Sequence, residues 1–308
     1  MRVFVAGATG VIGRALVPML VRDGHEVTGM TRSSERADGI RRQGADAVVA
    51  DAFDAERLRD AVVAARPEVV IHELTDIPRS IDPKHYAEAF ERNNRLRREG
   101  TRNLVDAGLA AGARRIVAQS IAFVYRYGGG VLHTEEDPLA VEWGDIVQAV
   151  AALEEAITGT AGIEGVVLRY GYLYGPGTSY ASDGSQAEMV RRRRLPIVGD
   201  GGGVFSFIHT EDAAAATVRT LDRGAAGAYN IVDDEPAPVR DWLPVYAEAV
   251  GAPRPRRVPE FLARWIAGER AVQMMTRTEG ASNQRAKAEL GLELRYPSWR
   301  RGFIEALG

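Results

Sequence analysis

The stretch GATGVIG, residues 7 to 13, contains three glycines whose spacing serves a known chemistry. They follow the apolar run RVFVA and precede a segment with helical periodicity. In such a turn the first glycine permits a tight bend, the second lets the backbone approach a pyrophosphate, and the third lets helix and strand pack closely. The N–H groups of the helix N-terminus then face the phosphates. The alternative is a glycine turn without a ligand. We predict a dinucleotide site that includes Gly7, Thr9, Gly10, Val11, Ile12 and Gly13.

The end of the second apolar run indicates which dinucleotide binds. An acidic residue there would accept a hydrogen bond from the ribose 2′-hydroxyl of NAD, whereas an arginine accommodates the 2′-phosphate of NADP. This chain has GMTRSS, with Thr31, Arg32 and Ser33 at that position. An exposed arginine without a ligand is the alternative interpretation. The sequence favours NADPH as the cofactor.

The order of apolar runs and helical periods predicts the elements that position these residues. Five runs, RVFVAG, EVTGM, DAVVA, EVVIHEL and RRIVAQS, are typical of buried parallel strands, and helical segments separate them. We predict an α/β fold, a Rossmann-type doubly wound parallel sheet with a smaller, mainly helical substrate lobe. GVVLRYGYLYGPGT is predicted as a sixth strand. The predicted domains are a dinucleotide-binding domain at 1–175 and a substrate lobe at 176–308, interleaved with it because segment 205–232 returns to the first domain.

Composition limits the classes of partner. The chain has 308 residues, of which 45% are apolar, a formal net charge of −3, and no cysteine. A chain without a basic surplus does not favour nucleic acid or an anionic membrane, so a small-molecule partner is expected. The absence of cysteine excludes disulfides and thiolate metal sites. We expect a cytoplasmic protein that binds neither nucleic acid nor membrane, and the oligomeric state stays open.

The chain resembles the short-chain dehydrogenase/reductase superfamily, in its extended epimerase- and dehydratase-like branch. GATGVIG, VADAFD, EGTRNLVDAG, LRYGYLYGPGT, FIHTEDAA and YNIVDDE occur in the family's order and spacing. The resemblance implies that Asp51 and Ala52 flank the adenine and that Leu74 and Thr75 line the cofactor. It also implies that Gln119 and the run Tyr170, Gly171 and Tyr172 lie beside the nicotinamide.

The catalytic positions depart from the family pattern. When FVY at 123 to 125 is aligned with the family's valine-tyrosine-glycine run, Ile121 stands at the usual serine or threonine, and Ser120 precedes it. Ile146 and Val150 stand at the tyrosine and lysine positions, while Glu154 matches the family's glutamate. The only lysines are Lys84 and Lys287, and neither has a tyrosine four residues earlier. The Tyr-x-x-x-Lys pair is therefore absent, and Ser120 is the candidate catalytic residue.

The substrate positions are aromatic where related enzymes carry charge. Phe205 replaces the arginine that grips the diphosphate of a nucleotide sugar in that family, and Tyr172, Tyr174 and Trp143 add aromatic surface. In these traits the chain is similar to ketoreductases that tailor aromatic polyketides. This resemblance implies NADPH-dependent reduction of a polycyclic aromatic ketone, with a phenol of the substrate as the proton donor. The alternatives are a non-catalytic NADP-binding sensor or scaffold, and an epimerase or dehydratase that acts on a substrate without a nucleotide.

Other polar residues favour structural roles. His72 ends a buried strand and is predicted to be hydrogen-bonded there. Thr210 is predicted to cap a helix with Glu211 and Asp212 in its first turn, so that His209 is no metal ligand. The arginines at 191 to 194 are predicted at a solvated helix end. Tyr125 and Tyr127 are possible acids in a loop.

Overall fold

The computed structural model describes residues 1–78, 86–128 and 132–307. Lys84 lies outside the described residues. Along the described chain the strands are β1 (Arg2–Ala6), β2 (Glu26–Thr31), β3 (Asp46–Val49), β4 (Val69–His72), β5 (Arg115–Ile121), β6 (Leu132–His133), β7 (Glu164–Tyr170), β8 (Tyr172–Tyr174), β9 (Ile197–Val198), β10 (Val204–Phe205), β11 (Phe207–His209), β12 (Gly227–Ile231), β13 (Ala237–Pro238), β14 (Arg257–Val258) and β15 (Gly280–Ala281).

Helices separate these strands, and the longest helical run is continued through a π-helical segment at Leu96–Gly100. The α-helices of the described residues are α1 (Gly13–Arg22), α2 (Ser34–Arg42), α3 (Ala55–Ala65), α4 (Tyr86–Arg95), α5 (Thr101–Ala110), α6 (Asp145–Thr158), α7 (Ser185–Arg191), α8 (Thr210–Arg219), α9 (Val239–Ala249), α10 (Glu260–Ala267), α11 (Glu269–Arg277) and α12 (Trp299–Leu307).

A parallel sheet of seven strands forms the centre of the molecule, in the order β12-β7-β5-β4-β1-β2-β3. The order reverses between β1 and β4, because the chain builds outward through β2 and β3 and then returns to the other side of β1. Alternate strand residues face opposite layers: Val5 and Ile71 pack with residues of α1 and α8, whereas Phe4 and Val70 pack with residues of α3 and α5. The predicted Rossmann-type doubly wound fold is confirmed.

The predicted sixth strand is two strands in the structure. β7 pairs with β12 and ends at Tyr170, and β8 pairs with β11 after Gly171. A Cβ atom at Gly171 would lie 2.4 Å from the carbonyl oxygen of Ser206, so a larger residue would block the change of partner. The prediction of one continuous strand was wrong, because the local apolar pattern does not record where a strand exchanges its neighbour.

A second core, rich in aromatic side chains, lies beyond the carboxyl ends of the sheet strands. It includes Tyr174, Phe207, Trp242 and Phe303, all buried. The strand Gly227–Ile231 lies in the central sheet, although it follows much of this lobe in the sequence. The exact domain boundaries stay a prediction. Among the described helices, none combines the length and the apolar composition that crossing a membrane needs.

Candidate functional site

The glycine turn between β1 and α1 has the geometry that its sequence predicts. Gly7 has φ of +99°, and a Cβ atom there would lie 2.5 Å from the carbonyl oxygen of Glu73. A Cβ at Gly13 would lie 2.2 Å from the carbonyl oxygen of Gly7, and the Gly10 N–H donates to that same oxygen at 2.9 Å. Because no larger residue fits at Gly7 or Gly13, the turn stays tight and leaves the α1 N-terminus open to a phosphate group.

At the end of β2, the side chains of Thr31 and Ser33 form hydrogen bonds with nearby backbone N–H groups. The buried Thr31 hydroxyl accepts a hydrogen bond from the Ser33 N–H at 3.3 Å, and the Ser33 hydroxyl caps α2 by accepting from the Arg36 N–H. Arg32, by contrast, extends toward Asp76, with 3.5 Å between Nη1 and Oδ2 and about half of its side chain exposed. Of these three predicted cofactor residues, Arg32 is the exposed one, so a ligand can reach its side chain.

The remaining predicted cofactor residues gather at the carboxyl edge of the sheet. The Asp51 carboxylate accepts from the Phe53 N–H at 3.0 Å. The Gln119 amide donates to the carbonyl oxygen of Leu74 at 3.3 Å and so joins the ends of β4 and β5. Ala52 is buried, and Thr75 is exposed. The fold brings these residues to one edge, and their contact with a cofactor stays a prediction.

Ser120 belongs to a buried polar network. Its hydroxyl donates to the Glu154 carboxylate at 2.6 Å, and Arg169 binds both oxygens of that carboxylate, at 3.0 and 2.6 Å. Arg169 also donates to the Tyr125 hydroxyl at 2.8 Å, which itself donates to Asn230. The Ser120 proton is therefore held by Glu154, and the hydroxyl offers a reacting oxygen lone pairs and no proton.

The sequence resemblance predicts Ile146 and Val150 at the positions of the family's tyrosine and lysine, and both side chains are apolar. Val150 is 1% exposed and packs with Val124 and Val147, and the partly buried Ile121 contacts the same cluster. Ile146 is partly buried on the same helix, α6. Lys287 pairs with Asp234 and does not enter this cluster. In the described part of the chain, α6 thus presents hydrocarbon where an acid and its lysine would stand.

The Tyr170 side chain lies in the core and contacts a buried acid that sequence reasoning missed. Its hydroxyl is 2.9 Å from the Glu73 carboxylate and 2.7 Å from the Thr217 hydroxyl. Burial raises the pKa of the Glu73 carboxyl to about 8, although the hydrogen bond from Tyr170 opposes the shift. The signal for Glu73 was available, because a carboxylate interrupts the buried run VVIHEL.

Tyr172 is the middle ring of an aromatic stack. The ring centroids of Phe123 and Tyr172 are 4.2 Å apart with planes inclined by 11°, and those of Tyr172 and Phe205 are 4.3 Å apart with planes inclined by 14°. Phe205 is buried, while Phe123 and Tyr172 are partly exposed. Tyr127 and Trp143 form another ring pair, 4.5 Å between centroids. Protein rings thus cover both faces of Tyr172, and Phe205 supplies no cation at its position.

Burial shifts the pKa of the Tyr125 and Tyr127 phenols and of the His72 and His209 imidazoles, among other groups. Burial raises the pKa of Tyr125 to about 12, and it also raises the pKa of Tyr127. His72 is buried and hydrogen-bonded to Thr101, as predicted, and burial lowers its pKa to about 4. His209 caps α8 by accepting from the Glu211 N–H, so the prediction that Thr210 is the cap was wrong by one residue. The imidazole nitrogen reaches the helix N-terminus from the residue before the first turn.

Comparisons with known proteins agree with this fold. The sequence model of the NAD dependent epimerase/dehydratase family matches residues 3–232. The 3-diazoavenalumate denitrifying reductase of a Streptomyces species is 47% identical over 307 residues, 98% of this chain and 99% of that protein. The 4-hydroxy-2-methyl-3-oxo-4-farnesyl-3,4-dihydroquinoline-1-oxide ketoreductase of Stigmatella aurantiaca is 27% identical over 258 residues, 82% of this chain and 74% of that protein. The solved UDP-glucose 4-epimerase of Thermus thermophilus, in complex with NAD, has a TM-score of 0.76 and 24% identity and covers 100% of this chain and 98% of that chain.

Proposed function

The chain belongs to the NAD dependent epimerase/dehydratase family and is an oxidoreductase, and from this premise we propose that it is an NADPH-dependent ketoreductase of a polycyclic aromatic ketone. Two relatives named as reductases of ring compounds support this proposal. The stacked rings of Phe123 and Tyr172 suit a flat substrate, and Phe205 offers no cation to a nucleotide sugar.

The residues present fit a nicotinamide dinucleotide. The backbone cradle at Gly7 and Gly13 would be filled by any Cβ atom, and the helix N-terminus beyond it suits a pyrophosphate. Gln119 ties together the strand ends beside which the nicotinamide would lie. When bound, the reduced nicotinamide supplies a hydride to the substrate.

The observation that carries the proposal is that, among the described residues, the positions aligned with the family's catalytic tyrosine and lysine are apolar. Reduction of a ketone consumes one hydride and one proton. Val150 and Ile146 have no proton to give, and the Ser120 proton is bound to Glu154. A phenol next to the substrate's carbonyl is already hydrogen-bonded to that oxygen and can protonate it. The protein then contributes proximity and orientation through its aromatic walls and its cofactor cradle.

A second candidate reaction follows from the relative at 47% identity, whose name describes a denitrifying reductase of a diazo compound. Replacement of an aryl diazonium group by hydrogen consumes one hydride, forms one C–H bond and releases N2, with no proton in the balance. The apolar positions Ile121, Ile146 and Val150 suit this reaction, since it needs no acid. The same aromatic stack would orient the ring.

Three substrates separate these possibilities: an aromatic ketone with an adjacent free phenol, its O-methyl ether, and a phenol with an adjacent diazo group. Each is incubated with the full chain and NADPH that carries deuterium at the transferred position. The proposal expects deuterium at the carbinol carbon of the free-phenol product and a rate lower by roughly 10²–10⁴ for the ether.

The other outcomes identify the alternatives. Equal rates for ether and free phenol would disprove substrate-assisted protonation. Deuterium on the aromatic ring, together with N2 release and no ketone turnover, would support the denitrifying reaction. Tight NADPH binding without turnover of any substrate would leave a non-catalytic NADP-binding protein.

A further inference from the structure

Two arginines from separate elements converge on one carboxylate oxygen. Arg32, after β2, places Nη1 3.5 Å from Oδ2 of Asp76. Arg92, on α4, places Nε 2.5 Å from the same oxygen. The Asp76 N–H donates to the Asn93 side chain at 2.9 Å, which fixes the aspartate against α4. The two guanidinium groups are therefore held side by side.

This arginine pair lies at the adenosine end of the proposed cofactor cleft. Asp76 follows β4 two residues after Leu74, and the Arg92 guanidinium is 5.8 Å from the centroid of the Phe53 ring. Phe53 in turn follows Asp51, whose carboxylate it contacts through its N–H. The side chains of Arg32 and Arg92 are 53% and 58% exposed, so a ligand can reach both.

The charges of the cluster favour a doubly negative ligand. In the ion pairs of the described residues, the Arg32 and Arg92 guanidinium groups share the single carboxylate of Asp76, an excess of one positive charge. The neighbouring Arg95 is engaged elsewhere, since both of its hydrogen bonds go to Glu99 and its guanidinium lies 4.2 Å from the Phe53 ring. A simple surface ion pair consists of one arginine and one carboxylate, whereas here two arginines contact the same carboxylate. Guanidinium pairs bind phosphate oxygens through several charged hydrogen bonds.

We propose that Arg32 and Arg92 together bind the 2′-phosphate of NADPH and that Asp76 holds the two guanidinium groups in place before the cofactor arrives. Arg92 is then a second residue that selects NADPH over NADH, on an element that the glycine and β2 motifs do not include. This inference rests on the proposed use of a nicotinamide cofactor. It does not depend on which substrate is reduced.

The test is cofactor binding measured by calorimetry for the full chain and its variants. Arg32→Ala and Arg92→Ala should each weaken NADPH binding by roughly ten- to a hundredfold, with NADH binding changed by less than about threefold. Adenosine 2′,5′-bisphosphate and 5′-AMP serve as probes without a nicotinamide, and only the bisphosphate should lose affinity. Asp76→Asn should weaken NADPH binding more than NADH binding, because the two guanidinium groups lose the carboxylate that holds them side by side. Arg95→Ala is the matched control on the same helix and should affect both cofactors equally.

Several results would overturn the inference. Equal losses of NADPH and NADH in Arg92→Ala, or no loss of either, would show that Arg92 is a surface ion-pair residue. Selective loss of NADH in Asp76→Asn would show that this carboxylate binds a ribose hydroxyl and that the protein prefers NAD. If the native chain bound neither dinucleotide, the proposed function itself would be wrong. If the native chain bound NADPH and NADH equally well, the proposed 2′-phosphate site would be wrong, while the proposed function would stand.

Discussion

Ser120 is the candidate catalytic residue of the sequence analysis, and its hydroxyl already donates its proton to a hydrogen bond with Glu154. We predict that Ser120→Ala retains turnover within a few-fold of the native chain, because no proton transfer is lost. The unfolding free energy should fall by about 1 kcal/mol, the usual contribution of one hydrogen bond, more if Glu154 is left short of a donor. Steady-state kinetics and urea denaturation measure the two effects. A rate loss of roughly 10²–10⁴ in a folded variant would show instead that Ser120 is a catalytic residue.

We predict that the stability of the protein depends on pH because the pKa of the Glu73 carboxyl is raised. Burial raises the pKa of its carboxyl to about 8 in the folded chain, against 4.5 as the ordinary value. The native state therefore holds a proton that the unfolded state releases, and stability falls as pH rises from about 5 to 8, by at most about 1.4 kcal/mol per pH unit. Glu73→Gln keeps a neutral side chain of the same length, so its stability should decline less over that interval. Thermal unfolding of both proteins from pH 5 to 8 tests this, and parallel curves would contradict a protonated Glu73.

Some single residues of the site could be predicted from the sequence, and others could not. The requirement for glycine at Gly7 and Gly13 was predictable, since the turn is a local structure with a local rule. The partners of Ser120 were not, because Glu154 and Arg169 come from α6 and β7 and meet only in the folded chain. Arg92 had no signal in the sequence, where it is one of many arginines on a polar helix face.

Among the secondary-structure elements, α6 carries the two positions, Ile146 and Val150, on which the proposed chemistry depends. It packs against β5 and β7, so that one face is fixed in the core while Ile146 lies only partly buried at its start. Ile146 and Val150, the residues that the resemblance aligns with the family's tyrosine and lysine, both lie on this helix. Its role is therefore expected to be the wall of an apolar site.

We predict that conservative exchange of this wall changes binding more than chemistry. Ile146→Leu and Val150→Ala should retain measurable reduction, because neither removes a proton donor. Val150→Ala should cost roughly 0.5–1.5 kcal/mol or somewhat more of stability, since it removes two buried methyl groups. Kinetics with urea denaturation as the fold control give the measurement. A loss of roughly 10²–10⁴ in kcat without loss of fold would mean that the alignment has missed a role of these positions.

Element boundaries were predictable where the cause is local. The strands and helices of the first half follow from alternating apolar runs and helical periods, and the sheet order follows from parallel connections. The break at Gly171 was missed, because it depends on β11 and β12, which follow much later in the chain. The cap at His209 was missed because an imidazole that accepts from a helix N–H is indistinguishable in sequence from any strand-end histidine.

Across the whole molecule, two of the groups with a raised pKa, Glu73 and Tyr125, are hydrogen-bonded to buried partners. Glu73 contacts Tyr170 and Thr217 in the layer of α1 and α8, and Tyr125 is bound to Arg169 and Asn230. Val150 packs with Val124 and Val147, and Trp143 contacts the same cluster. We therefore expect the proton to come from the substrate or from solvent.

This arrangement predicts that the pH profile of ketone reduction follows the substrate and not the protein. A phenol donates only while it is protonated, so kcat should fall as pH rises through the pKa of the bound substrate's phenol. A series of ketones whose phenols differ in acidity should shift that limb in parallel with their own pKa values, and Glu73→Gln should leave it in place. Reduction of an aryl diazonium ion that carries no adjacent phenol should show no such limb, because replacement of N2 by hydride takes up no proton. If the fall in kcat stays at one pH for every ketone, the proton comes from a group of the protein instead. If that fall then moves to another pH in Tyr127→Phe, the group is the Tyr127 phenol, whose pKa is raised by burial.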